Sequence, residues 1–193
     1  MLTNYYLCGM ENIGQYIDSL VKKTGHKQSD IARSIGVPRQ LLSYIIAGQR
    51  ELSMQMALKL ESYFNLPEGK LLIMQVEASV NSYKQQQKDA LAEQLLKANA
   101  FWSYTNVKVH DISDEEIIER VFIYLDLKDI AKLFELYQRD YVRKIWKEKL
   151  AVQGDYLFNL NVMIALYYFD IKQPEQYLRR LEREHIKQQL TYA

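Results

Sequence analysis

The chain has 193 residues, 48% of them hydrophobic and 25% charged, a globular composition that excludes disorder. Its 25 Lys and Arg nearly balance 24 Asp and Glu, so overall charge points to no particular partner. Seven Gly and three Pro are too few for the many turns of a β-sandwich or barrel, and a lone Cys8 gives no internal disulfide framework and suits a reducing compartment.

Helical periodicity begins at once. Ile13, Tyr16, Ile17, Leu20 and Val21 recur at spacings of three and four, one face of a helix that Gly25 stops. Three more helices are predicted over about Lys27 to Ile35, Pro38 to Ile46 and Met54 to Phe64, separated by Gly36 and Gly48, with Ser53 as N-cap of the last. Asn65 and Pro67 open a fifth helix, with Leu71, Leu72, Val76 and either Ile73 or Met74 on its buried face. From Glu77 to Lys97 the chain is poorer in apolar residues and includes Gln85, Gln86 and Gln87. Lacking Gly and Pro, it reads as an exposed helix running into Leu91, Leu95 and Leu96; no a/d pattern holds for three heptads.

After Ala100 the composition shifts, with both Trp102 and Trp146 and nine of the 15 tyrosines. Ser113-Asp114-Glu115-Glu116 is a capping box ahead of Ile117, Ile118, Val121, Phe122 and Leu125. Asp126 caps a helix that turns Ile130, Leu133, Phe134 and Tyr137 inward, and a third helix carries Tyr141, Val142, Ile145, Trp146 and Leu150. Gly154 breaks the chain. Tyr156 to Phe169 is apolar almost all round, which predicts the central helix of this half, and Pro174 starts a last, charged helix toward Gln189. The longest apolar run, Val162 to Phe169, is far shorter than the roughly 18 residues of a membrane span, and Met1 to Met10 lacks the pattern of a secretory leader. The expected architecture is all-α and cytoplasmic, with no membrane contact. It comprises a helical domain over 10–78, a helical connector over 79–99 and a second helical domain over 100–193.

One segment is specific in wording: KQSDIARSIGVPRQLLSYIIAG, Lys27 to Gly48. Two short helices meet at Gly36, where positive φ is needed; Ala32 is small enough for a close crossing, and Val37, Leu42 and Ile45 lock the second helix onto the first. Through Gln28, Ala32, Gly36, Val37, Leu42, Ile45 and Gly48 the stretch from about Asn12 to Val76 resembles the phage-repressor-like, Xre-type helix-turn-helix regulators, the compact five-helix kind found in many bacterial antitoxins. The resemblance implies that the helix Pro38 to Ile46 enters the major groove of double-stranded DNA. There Arg39, Gln40 and Ser43 form the exposed leading edge and Tyr44 flanks it. Arg can fork onto guanine O6 and N7, and Gln can bridge adenine N6 and N7. It also implies phosphate or base-edge contact at Gln28, backbone contact at Gln49 and Arg50, and a homodimer on two half-sites about one helical turn apart. Between Lys22 and Arg50, six Lys and Arg face the single acid Asp30, a local balance of +5 that attracts phosphate but is short of tight binding by one copy.

The stretch Ala100 to Phe134, with Phe169-Asp170-Ile171-Lys172 and Pro174, is similar to small proteins of Bacteroidetes-type bacteria associated with genes for abortive-infection-type nucleotidyltransferase toxins. In those the segment occurs without a front domain, so the fusion here departs from their pattern. The similarity implies a partner-binding or antitoxin-like role with a toxin as protein partner. Tyr104, Tyr124, Tyr137, Tyr141, Tyr167, Tyr168 and Tyr177 outnumber what a small core needs and suit an interface as a set.

No catalytic signature is found. His26, His110 and His185 are scattered without metal-ligand spacing, and no phosphate-cradling or dinucleotide glycine pattern occurs, so no enzyme activity, cofactor or metal is expected. Asp111, Asp114, Glu115, Glu116 and Glu119 read as a helix start rather than metal ligands, and Trp146 within Lys144 to Leu150 reads as core beside a solvated face. The leading expectation is a sequence-specific DNA-binding autorepressor with a protein-binding rear domain. The alternative is a protein–protein interaction module with no direct DNA role. An enzyme in the rear half would need a pocket gathering His110, Asp111 and Asp114 around a metal.

Overall fold

The computed structural model describes residues 13–102 and 108–191, so Cys8, Asn12 and Tyr104 lie outside the described residues. Ten α-helices account for the described chain, with no strand among these residues. It divides into two compact units between Tyr83 and Lys84.

The front unit is built from α1 (Ile13–Thr24), α2 (Gln28–Ser34), α3 (Arg39–Ile46), α4 (Met54–Phe64) and the first half of α5 (Lys70–Lys97). Its core comprises Ile17, Val21, Ile31, Ala32, Leu42, Ile45, Leu52, Met56, Ala57, Leu60 and Leu71, the apolar stripes of five amphipathic helices. Ile13 and Tyr16 pack against this cluster from α1. Gly14 is buried where α1 crosses α3, and a Cβ there would overlap the Ile46 carbonyl oxygen, so only glycine allows this approach. Ser53 caps α4, its hydroxyl accepting from Met56 N.

Between α4 and α5 the chain departs from expectation. Asn65 closes α4 in the left-handed region at φ 53°, and α5 starts only at Lys70. Glu61, buried on the inner face of α4, explains the delay. Its carboxylate accepts from Gly69 N at 2.8 Å and Leu71 N at 2.7 Å, satisfying two amides of the α5 start from outside the helix. A second difference lies on α5 itself. Leu71 is buried and Leu72 packs on the core, but Val76 and Ile73 are exposed. The helix docks through Leu71 and Gln75, whose amide bridges both backbone groups of Leu52, and this turns Val76 outward.

The rear unit holds α6 (Asp114–Tyr124), α7 (Leu127–Leu136), α8 (Arg139–Ile145), α9 (Phe158–Phe169) and α10 (Pro174–Thr191), with the second half of α5. Ser113 and Glu116 complete the expected capping box, and the Asp126 carboxylate accepts from the Lys128 and Asp129 amides at the start of α7. Leu91, Ala92 and Leu95 of α5 join Ile117, Ile118, Val121, Phe122, Ile130, Leu133, Val142, Ile145 and Trp146 in one cluster. Trp146 is fully buried; its ring lies 4.9 Å from that of Phe169, and its Nε1 donates to Asn161 Oδ1 at 2.8 Å. The buried Asn161 amide in turn donates to Leu150 O at 2.9 Å. The third rear helix therefore does not run on as regular α-helix. It widens into one π turn over Trp146–Leu150, where Ala151 N donates to Trp146 O.

The helix expected to be central is shorter and more exposed than its composition suggests. Residues Gly154–Leu157 form a 3₁₀ turn, and α9 buries Ile164, Ala165 and Phe169 while Leu166 and Tyr167 face solvent. An all-round apolar helix in a unit this small has too few neighbours to cover every face.

Candidate nucleic-acid interface

The α2–α3 pair has the local chemistry of a helix-turn-helix. Gly36 takes φ +66°, and Val37 N donates to Ala32 O at 2.9 Å, closing the turn over the last residues of α2. Ala32 is buried at the crossing, and Leu42 and Ile45 pin α3 onto the core, with Val37 partly buried beside them. Pro38 stands at the N-cap of α3 with φ −62°, and its carbonyl accepts from Leu41 N at 3.0 Å. On α4, Lys59 Nζ donates to Gly36 O at 3.5 Å, a contact onto the turn that sequence reading did not single out.

On α3, Arg39, Gln40, Ser43 and Tyr44 are all exposed, and about 100° per residue puts them on one arc opposite Leu42 and Ile45. Gln49 and Arg50 are exposed beyond the Gly48 turn, where Gly48 takes φ 70° and Gln49 N donates to Tyr44 O at 2.9 Å. Gln28 is the first residue of α2 and is half-buried. Among the described residues, no side-chain hydrogen bond or ion pair engages Arg39, Gln40, Ser43, Gln49 or Arg50. A polar edge whose donors are left in water is ready to exchange hydration for base or phosphate contacts.

The charge around this edge is smaller than the count from sequence. Lys22 pairs with Asp18 at 2.7 Å, and Arg33 lies 3.8 Å from Asp30 within α2. Lys23, Lys27, Arg39 and Arg50 remain as cations without an ion pair among the described residues. His26, between α1 and α2, shares a hydrogen bond with Tyr63 of α4, 2.7 Å from Nδ1 to the hydroxyl.

In the rear unit the acidic stretch at the start of α6 is engaged within the protein. Asp114 Oδ1 accepts from Tyr137 at 2.8 Å and pairs with Lys88 at 2.6 Å, Glu116 serves the capping box, and Glu115 lies 3.5 Å from Lys149. Burial, with the hydrogen bond to Asp114 next in weight, holds the Tyr137 hydroxyl well above the usual tyrosine range. No group of three His, Cys, Asp or Glu side chains comes together at metal-binding range among the described residues. The tyrosines divide: Tyr137, Tyr141, Tyr168 and Tyr177 pack against the core, whereas Tyr124 and Tyr167 are exposed. No helix among the described residues is long and apolar enough to cross a membrane.

No curated protein and no solved structure matches the chain. Residues 17–71, from within α1 to the start of α5, match the helix-turn-helix family model HTH_3, a likeness that supports a DNA-binding regulator.

Proposed function

We propose that the protein is a sequence-specific transcriptional regulator that binds operator DNA as a homodimer, an antitoxin-like autorepressor working in the cytoplasm. The observation that carries this reading is the arc of Arg39, Gln40, Ser43 and Tyr44 on α3, acid-free, exposed and mounted on a helix-turn-helix. In it α3 lies in the major groove with Arg39 and Gln40 on base edges, and Gln28, Gln49 and Arg50 hold the phosphates. The rear unit takes a protein partner, a toxin, and supplies no catalytic step. Exposed Tyr124, Leu127, Leu166 and Tyr167 support that role, because large apolar and aromatic side chains in water are the raw material of an interface.

The test is selection of bound fragments from random DNA, followed by titration of the recovered site. Arg39→Ala costs about 1–3 kcal/mol at one base position and relaxes preference there. Arg50→Ala instead weakens all sequences alike and lowers the slope of log affinity against log salt by about 1. An Arg39→Ala chain with wild-type affinity and preference would refute the assignment of α3 as the reading helix.

A further inference from the structure

Beside α10 the rear unit carries an open groove of about 780 Å³. Phe158 and Ile171, which pack on the rear core, form its apolar lining, and Arg179, Arg180 and Arg183 stand along it. Arg179 is firmly paired, with Asp155 at 3.0 Å and Glu182 at 3.4 Å. Arg180 has Glu184 at 3.9 Å, a loose contact between two exposed side chains that gives way to a better partner. Arg183 donates through Nε to Arg179 O at 3.0 Å and has no ion pair among the described residues. Lys147 of the π turn, also without an ion pair among the described residues, joins them across Tyr177. Its Nζ lies 5.9 Å from the centre of the Tyr177 ring, and Arg180 Cζ lies 5.5 Å from the same centre. Cations gathered with little counter-charge repel one another, and an anion placed among them removes that cost.

We propose that this groove binds an acidic segment of the rear unit's protein partner, with Asp or Glu side chains on Lys147, Arg180 and Arg183 and an apolar side chain against Phe158 and Ile171. The inference rests on the partner-binding reading above and gives that partner its chemistry. Arginine clusters take up carboxylates because the guanidinium fork matches them in geometry. A nucleic acid fits the same groove less well, for two reasons. Glu175, Glu182 and Glu184 stand among the cations of α10, so an unbroken ladder of phosphates meets like charge, whereas a peptide can set neutral residues opposite them. The ring faces on which a base would stack are also taken. Arg179 Cζ lies 4.4 Å from the centre of the Phe158 ring, and Tyr177 is stacked on Trp146 with ring centres 6.3 Å apart.

Selection from displayed random dodecapeptides against the full chain, followed by fluorescence anisotropy of the recovered peptides, tests the groove. The recovered peptides carry an excess of Asp and Glu, with a large apolar residue among them. Arg180→Glu with Arg183→Glu weakens their binding by about tenfold or more, with an unchanged circular-dichroism spectrum. Both positions are exposed, so the variant keeps its core. A peptide whose acids are changed to Lys binds that variant and not wild type, a reversal that a structural role for the arginines would not produce. Lys128→Glu, which alters an exposed cation of α7 outside the groove, leaves binding at the wild-type level. Acidic peptides that bind the double variant as tightly as wild type overturn the proposal, and so do neutral or basic winners. Pyrophosphate or single-stranded DNA that occupies the groove in place of peptide overturns it as well. Peptides lost with Tyr124→Ser and Leu127→Ser but kept by the arginine variant would sink the groove and leave a partner-binding rear unit standing; a chain that recovers no peptide sinks both.

Discussion

Glu61 shows what a single misplaced-looking residue can mean. It lies on the inner stripe of α4 with Met56, Ala57 and Leu60, a carboxylate where the pattern calls for an apolar side chain. Two amides at the start of α5 claim both its oxygens, so its burial is matched by charge-assisted hydrogen bonds. Glu61→Ala strands the Gly69 and Leu71 amides and costs about 2–3 kcal/mol of front-unit stability, and Glu61→Gln, which keeps one acceptor, costs less. Urea titration followed by circular dichroism measures both, and equal stability of wild type and the alanine variant would show the bonds to be replaceable by water. Gly14 is a residue of the same kind: its missing side chain is what lets α1 lie on α3.

Between elements, the junction of α6 with the end of α7 and with α5 is tied by Asp114, which holds Tyr137 and Lys88 through one oxygen. The Tyr137 hydroxyl is raised above its ordinary value chiefly by burial and then by Asp114. In the unfolded chain the same group loses its proton near pH 10. Below that pH both states carry the proton and the contribution is whole; as pH climbs past it, only the folded state still holds the proton, and stability falls. Tyr137→Phe should therefore be about 1 kcal/mol less stable than wild type at neutral pH and lose less stability above pH 10. Parallel stability curves for the two chains would remove Tyr137 from the alkaline response. The π turn of Trp146–Leu150 is set at this scale too, since Asn161 of α9 takes up both the indole N–H and the Leu150 carbonyl.

At the scale of the whole molecule, two hydrophobic clusters share no residue, one in each unit. Separate cores lose their structure separately, so the chain should not unfold in one step. Both tryptophans belong to the rear unit, whereas helices of both units absorb in the far ultraviolet. Tryptophan fluorescence and circular dichroism are expected to give non-coincident urea transitions, with Glu61→Ala moving the dichroism curve and leaving the fluorescence midpoint in place. Coincident curves for wild type and variant would mean that α5 couples the units into one cooperative block. The near-neutral total charge likewise conceals a division of labour, because Lys23, Lys27, Arg39 and Arg50 of the front unit have no ion pair among the described residues while rear-unit acids such as Asp114 and Glu115 are matched within the protein.

Local order was legible in the residues themselves. The Gly36 turn with Ala32, Leu42 and Ile45, and the caps at Ser53, Ser113 and Asp126, depend on backbone conformation and spacing within a few positions, and both are written in the string. The exposed edge of α3 is what the family resemblance implies, and it faces water because Leu42 and Ile45 fix which face points inward. What periodicity cannot supply is the amount of partner surface waiting for each face. Being apolar predicts a core place for Val76, and being apolar all round predicts a central place for α9. Tertiary packing covered one side of each and left Val76 and Tyr167 in water. Side chains far apart in the chain, Glu61 with Leu71 and Trp146 with Asn161, set the α5 start and the π turn, and only the folded arrangement brings those donors and acceptors within reach.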